Sequence, residues 1–394
     1  MNSLSSALSA RPRPRLQERP DTWLAGKDRV PVTPEDHELK AYTQAMPKVD
    51  LHRHMEGAVT AEMMLKIAKR FDIQLPTQDL KQLRGLMQVN DKDKTLLDFI
   101  KKFDTIGKVF SSADAVKAIA YQTVRDAADD NVKYLELRFS PLYIAQQYGV
   151  KPADVMDAVA KGAAEASKKG DIKTNLIAIV EREMPVQKAW EVEKLAEGWK
   201  DKGVVALDLA NDEKNYPPGP FAAVFQAAHK AGLHVTVHAG EAGPAANVKT
   251  SIEQLDAERI GHGIQTAADP AVEKVMLDRH VTPEMCPTSN DETHAAEGLP
   301  QYPMRRFYDE GLRPTVNTDD PAVCGVTLSG ECYKVVHELG MSIPELQQME
   351  YNGIDAAFIS DADKAQLHQQ FEQSYAQLNP TQDPQLQAWL TPRR

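Results

Sequence analysis

From Met46 onward the chain alternates short apolar, β-branched runs with longer segments whose apolar positions recur every three to four residues. The strand-like runs are Lys48–His52, Lys133–Arg138, Asn175–Val180, Val204–Asp208, His234–His238, Glu258–Gly261, Val281–Met285 and Arg313–Asn317. Between them, Ala153–Lys168 carries Val155, Val159 and Ala163 on one stripe, and Pro220–Ala231 carries Val224, Ala227 and Ala228. Strands alternating with helices build parallel β/α units, and eight such units close a (β/α)8 TIM barrel. An open doubly wound sheet is the alternative, but no G-x-G-x-x-G follows an early strand, so a dinucleotide site has no support.

The pattern departs from one helix per crossover in two places. Gly57 to Asn131 holds helical periodicity at Thr60–Phe71, Thr95–Lys108 and Ala113–Asp129. The surplus is expected to cover the C-terminal mouth of the barrel, where sites of this architecture sit. After the last strand, Ser342 with Glu345 three residues on predicts a capped helix through about Phe358, and a further helix runs from Asp361 to about Gln377. Residues 1–45, with the Pro- and Arg-rich SARPRPRLQERP, read as a flexible extension ahead of a single domain spanning 46–394.

Composition narrows the partners. A net charge of −11 argues against nucleic acid or an anionic membrane surface. The three cysteines, Cys286, Cys324 and Cys332, lack metal-type spacing and suit a reducing compartment. None of the apolar runs approaches the roughly 20 residues of a membrane span, so a cytoplasmic protein is expected. Oligomeric state is not encoded legibly.

The polar residues collect at strand ends. His52 and His54 in LHRHMEG are two apart, so both rings face one side. On the fifth strand, alternation puts His234, Thr236 and His238 on the inner face, with His238 at the mouth and His234 as a satisfied core histidine. Glu241 follows Gly240, His262 ends the sixth strand, and VNTDDP brings Asp319 and Asp320 to the end of the eighth, where Pro321 stops the ladder. Taken singly, each has an ordinary structural reading: a hydrogen-bonded histidine pair, a solvated glutamate, an Asp-Pro turn. A common barrel mouth explains them together. Three neutral imidazoles and a carboxylate suit a borderline divalent ion such as zinc, with a position left for water. Glu241, His262 and one aspartate then supply what hydrolysis needs: a proton donor, a base or electrostatic helper, and a water-orienting acceptor.

PKVDLHRHMEG, LDLANDE, HAGE, ERIGHG, CPTSN and VNTDDP, in this order and spacing, resemble the adenosine deaminase family of metal-dependent amidohydrolases over about Met46 to Ile359. The resemblance implies one zinc ion per chain, held by His52, His54, His238 and Asp319. It also implies that Glu241 protonates purine N1, that His262 helps activate the attacking water, and that Asp320 orients this water and contacts the base edge. The chain departs from the familiar pattern at Glu56, where an Asp usually contacts the ribose 5′-hydroxyl, and at Asn211, where a Gly amide usually approaches purine N3. Both leave the chemistry intact and shift the question to the substrate: adenosine or deoxyadenosine first, with free adenine or a 5′-modified adenosine (methylthioadenosine, aminodeoxyfutalosine) as alternatives.

Two other classes compete. A catalytically silent purine-binding protein would be expected to have lost a ligand or Glu241, and this chain keeps all of them. A two-metal hydrolase with a bridging modified lysine would need a Lys ending the fourth strand, where Asp208 and Asn211 stand instead. Glu136 and Arg138 read as interior structural pairs, Cys286 as packing, Met63 and Met64 as helix core, and His294 as a solvated loop residue. Ser289 and Asn290 are expected along the pocket.

Overall fold

The computed structural model describes residues 33–393, apart from 91–92, 94–95 and 297. Among them, β1 (Lys48–His54), β2 (Val132–Phe139), β3 (Lys173–Glu181), β4 (Val204–Ala210), β5 (His234–Ala239), β6 (Arg259–His262), β7 (Thr282–Met285) and β8 (Thr315–Val316) pair in sequence order. Every pairing is parallel. The ends meet: Arg53 bridges to Asp319, with His54 N donating to Asp319 O at 2.9 Å and Asp319 N to His52 O at 2.8 Å. The sheet is therefore a barrel with no free edge, and the eight strands fall where the hydrophobic pattern predicts.

The helix layer departs from expectation in informative ways. Beyond the predicted helices at Ala61–Phe71 and Ala113–Asp129, the first crossover holds one at Leu80–Met87, capped by Asp79 and anchored by buried Leu83 and Met87. The segment expected as one helix over Thr95–Lys108 breaks into Leu96–Ile100, Phe103–Ile106 and a 3-10 turn at Gly107–Val109. The Ser342–Glu345 capping box is present, starting Ile343–Ala356, and Asp361–Leu378 follows. The expected flexible extension needs correction over its last part. Pro34–Ala45 is a helix opened by a Thr33–Asp36 capping box, and Leu39 and Tyr42 are buried. Apolar anchors and a cap outweigh the polar composition there; the rest of that expectation, residues 1–32, lies outside the described residues.

Inside the barrel, charge takes the place of an aliphatic core. Arg138 donates to Asp208 and to Glu284, both at 2.7 Å, and Arg259 donates to Glu284 at 2.6 Å and to Glu136. Tyr134 donates to Glu136 at 2.7 Å. All of these side chains are buried, and buried charges persist only when paired this completely. The interior reading of Glu136 and Arg138 holds. His234 does not belong to this layer: it sits at the foot of β5, about half exposed, satisfied by Glu258 at 2.9 Å and stacked on Phe358. Its position at the first residue of the strand puts it outside the core.

Candidate active site

The C-terminal ends of the strands deliver the site. A register shift in β1, three residues from Asp50 to Arg53 against two from Leu135 to Leu137, is a bulge of the kind that re-aims side chains beside active sites. It presents His52 and His54 to the mouth together. His52 Nδ1 lies 2.8 Å from Glu284 Oε2, and His238 Nδ1 lies 3.0 Å from Asp208. Burial alone would raise both carboxyls. Arg138 and Arg259 outweigh it at Glu284, and His238 and Arg138 outweigh it at Asp208, so both stay ionised well below the usual range. Each carboxylate therefore accepts a hydrogen bond from Nδ1–H and leaves Nε2 with its lone pair facing the mouth.

Those lone pairs converge. His54 Nε2 and His238 Nε2 are 3.2 Å apart, and Asp319 Oδ1 is 3.1 Å from His52 Nε2 and 3.2 Å from His54 Nε2. His52 Nε2 makes no hydrogen bond of its own. The lone-pair nitrogens of His52 and His238 and the anionic oxygen of Asp319, with His54 Nε2 beside the last two, repel one another unless a cation lies between them. That donor set, buried apart from the partly exposed His54 and with the His52 and His238 tautomers fixed from behind, fits a divalent ion. Charge agrees. Six carboxyl groups line the cavity (Glu56, Asp104, Glu181, Glu241, Asp319 and Asp320), and no Lys or Arg does among the described residues.

His262 comes as close to His52, His238 and Asp319 as a ligand would. Its partners distinguish it. Tyr302 donates its hydroxyl proton to Asn290 Oδ1 at 2.9 Å, so the Asn290 amide offers its NH2 to His262 Nδ1, also at 2.9 Å. The imidazole proton then sits on Nε2, which suits a donor toward the cavity rather than a metal ligand. His262 Nε2 is 3.7 Å from Glu241 Oε2.

Burial raises the Glu241 carboxyl above its usual range, with His262 opposing and Asp319 adding to the shift. Asp319 and Asp320, adjacent in sequence, are driven apart. Burial and then Asp319 push Asp320 well up, whereas the adjacent His52 and His54 imidazoles outweigh burial and hold Asp319 well down. Asp320 Oδ1 has no partner, and Gly57 makes room for it, since a Cβ there would overlap the carboxylate. Asn211, His262 and Asp319 all have left-handed backbone (φ of 78°, 62° and 61°). Strain of this kind at non-glycine residues is kept where the geometry is used. Asn211 stands exposed on the rim, one of the few side chains that tolerate the backbone a glycine would adopt there.

Three further residues escaped sequence reasoning. Glu213, the last residue of LDLANDE, accepts from the backbone amides of Gly240, Glu241, Ala242 and Gly243 at 2.7–3.2 Å and from the Asn247 side chain at 2.9 Å. It clamps the turn that carries Glu241. Glu284 links His52 to both buried arginines, and Glu181 ends β3 on the cavity wall. The bland readings of Cys286, Met63 and Met64 as packing stand, because all three are buried; His294 is exposed, and Ser289 lines the cavity while Asn290 orients His262 behind it.

Comparison with known proteins agrees with this geometry. The family model described as adenosine deaminase matches residues 47–374. The adenosine deaminase of Klebsiella pneumoniae (strain 342) is 37% identical over 325 residues, covering 82% of this chain and 97% of that protein. An adenine deaminase from Arthrobacter aurescens superposes with a TM-score of 0.77 at 28% identity, covering 83% of this chain and 98% of the other. An amidohydrolase from Burkhoderia ambifaria, solved with bound zinc, gives 0.79 at 25% identity, covering 90% and 96%. The family match runs through every strand end that contributes to the mouth, and the chain belongs to the adenosine deaminase family.

Proposed function

We propose that this hydrolytic deaminase removes the 6-amino group of a purine nucleoside, adenosine or deoxyadenosine, giving the 6-oxo product and ammonia. The observation that carries the reading is the convergence of His52, His54 and His238 Nε2 with Asp319 Oδ1, beside a raised Glu241 and a proton-bearing His262 Nε2. These four ligands would hold one zinc ion. When bound, such an ion lowers the pKa of a water from 15.7 to about 7 and so supplies a nucleophile at neutral pH.

The protein's own groups do the rest. Glu241, whose carboxyl burial raises above its usual range, donates to ring N1 and draws electron density from C6 as water adds there. Asp320, with its bare Oδ1, accepts a hydrogen bond from the incoming water and fixes the face it attacks. His262 offers Nε2–H to the oxygen as charge develops on it. The tetrahedral carbon then expels the amine as ammonia; of the two protons the water brings, one goes to the departing amine and the other restores the Glu241 carboxyl. Phe99, Ile100 and Phe103 from the extended first crossover line the cavity and give it walls for a nucleoside. The Arthrobacter structure keeps free adenine as the second reading.

Purified protein loaded with zinc is expected to carry about one metal per chain and to shift the ultraviolet spectrum of adenosine as the 6-oxo product forms. Glu241→Gln should still bind adenosine without turnover, and Asp320→Asn should keep its metal and lose roughly 100-fold or more in kcat. Unchanged spectra for adenosine, adenine and 5′-modified adenosines alike would end the proposal.

A further inference from the structure

Of the carboxyl groups around the cavity, deamination employs Glu241, Asp319 and Asp320. Glu181 is left without a task. It ends β3, is 3% exposed, and neither of its oxygens makes a hydrogen bond. Nearby, at the end of β1, Glu56 accepts from Ser140 N at 2.8 Å through Oε1 and leaves Oε2 bare. Three carboxyl oxygens thus stand buried and unmatched around Ser140, the residue that follows β2. Leaving buried polar atoms unmatched is destabilising. A cavity wall keeps such atoms when a ligand completes them.

Barrel order says which end of the ligand they meet. In a closed ring of eight strands β2 lies across from β6. Ser140 and Glu181 therefore face the side that bears Glu241 and His262. A purine held at C6 and N1 by those two directs its far end, N9 and whatever N9 carries, toward β1–β3. Burial pushes the Glu181 carboxyl up to about 8; the Ser140 hydroxyl opposes from close by without reaching hydrogen-bond geometry, and Glu56 adds to the shift. In that form it both donates and accepts, as a hydroxyl partner requires. A phosphate would find no Lys or Arg on the described wall.

We propose that Glu181 is a specificity-determining residue that, beside Glu56, hydrogen-bonds the hydroxyls of an unphosphorylated sugar on the purine. The assignment rests on the nucleoside reading above. It gives β3 a role in choosing the substrate and accounts for bare oxygens that deamination does not employ.

The test compares wild type, Glu181→Gln and Glu181→Ala, all full length and zinc-loaded. The substrates are adenosine, its 2′-, 3′- and 5′-deoxy analogues, adenosine 5′-monophosphate and free adenine. Wild type should disfavour at least one deoxy analogue roughly tenfold, mostly through KM, and the monophosphate more strongly. Glu181→Ala should raise KM for adenosine by a similar factor and lose the discrimination against that analogue, with Glu181→Gln between the two. Because Glu181→Gln preserves side-chain volume, calorimetric binding of the same nucleosides to it decides the matter if the alanine variant does not fold. Equal discrimination in wild type and variants, or a wild type that takes the monophosphate as well as adenosine, overturns the role of Glu181 and leaves nucleoside deamination standing. A wild type that acts only on free adenine overturns both.

Discussion

Glu213 makes no contact with the proposed metal ligands, yet its removal should be among the most damaging changes in the site. Its carboxylate accepts five hydrogen bonds: Oε1 from Gly240 N and Asn247 Nδ2, Oε2 from Glu241, Ala242 and Gly243 N. Ala242 is exposed, so its amide can turn to water; Gly240, Glu241 and Gly243 are buried. Glu213→Ala therefore strands three buried N–H groups at about 1 kcal/mol or more each, a loss of about 3–4 kcal/mol. Domains are stable by only about 5–15 kcal/mol. Glu213→Gln retains one acceptor oxygen and turns an NH2 toward the donors of the other, which should cost about half as much. Both should lower kcat, because a displacement of about 1 Å in a reacting group is worth roughly 100-fold, and Glu241 rides on the clamped turn. Urea denaturation with zinc present and again after chelation gives the stability loss, which should be similar in both because Glu213 holds no metal. Steady-state kinetics gives the other half. Midpoints within about 0.5 kcal/mol of wild type, with kcat within threefold, would refute the clamp.

Two further outcomes follow from the same geometry. Glu284→Ala removes the acceptor of His52 Nδ1 and leaves Arg138 and Arg259 short of a counter-charge; metal affinity by competitive chelation should fall about 10–100-fold and stability by about 3–5 kcal/mol. Gly57→Ala would drive a methyl group into the Asp320 carboxylate, so metal content should persist while kcat falls at least tenfold, and a fully active Gly57→Ala enzyme would deny Asp320 its place.

How much of this was legible in the sequence follows from the kind of interaction each residue makes. Alternation within a strand is local, so the inward aim of His52 and His238 and the strand-end positions of His262, Asp319 and Asp320 could be read directly. The Pro34–Ala45 helix was legible too, in Thr33 and Asp36 three apart around a proline, but polar composition masked it. Glu284 and Glu213 were different. Each is a single acid whose meaning lies in partners elsewhere: Glu284 meets His52 across 232 positions, and Glu213 meets amides that gather only once the HAGE turn has formed. Nor could sequence separate His262 from the imidazoles that Glu284 and Asp208 orient; the difference is which nitrogen Asn290 occupies. Glu181 falls one residue past the strand end that hydrophobicity marks, at Val180, and so carried no signal. Its significance is also of another sort. The interior acids of this barrel, Glu136, Asp208 and Glu284, are each paired to a cation, because an unpaired buried charge would be too costly. Glu181 is as deeply placed and lacks any such pair. An acid that the fold does not satisfy, set on a cavity wall, is best explained by the ligand, so the residue least visible in the sequence becomes the one through which the substrate can be identified.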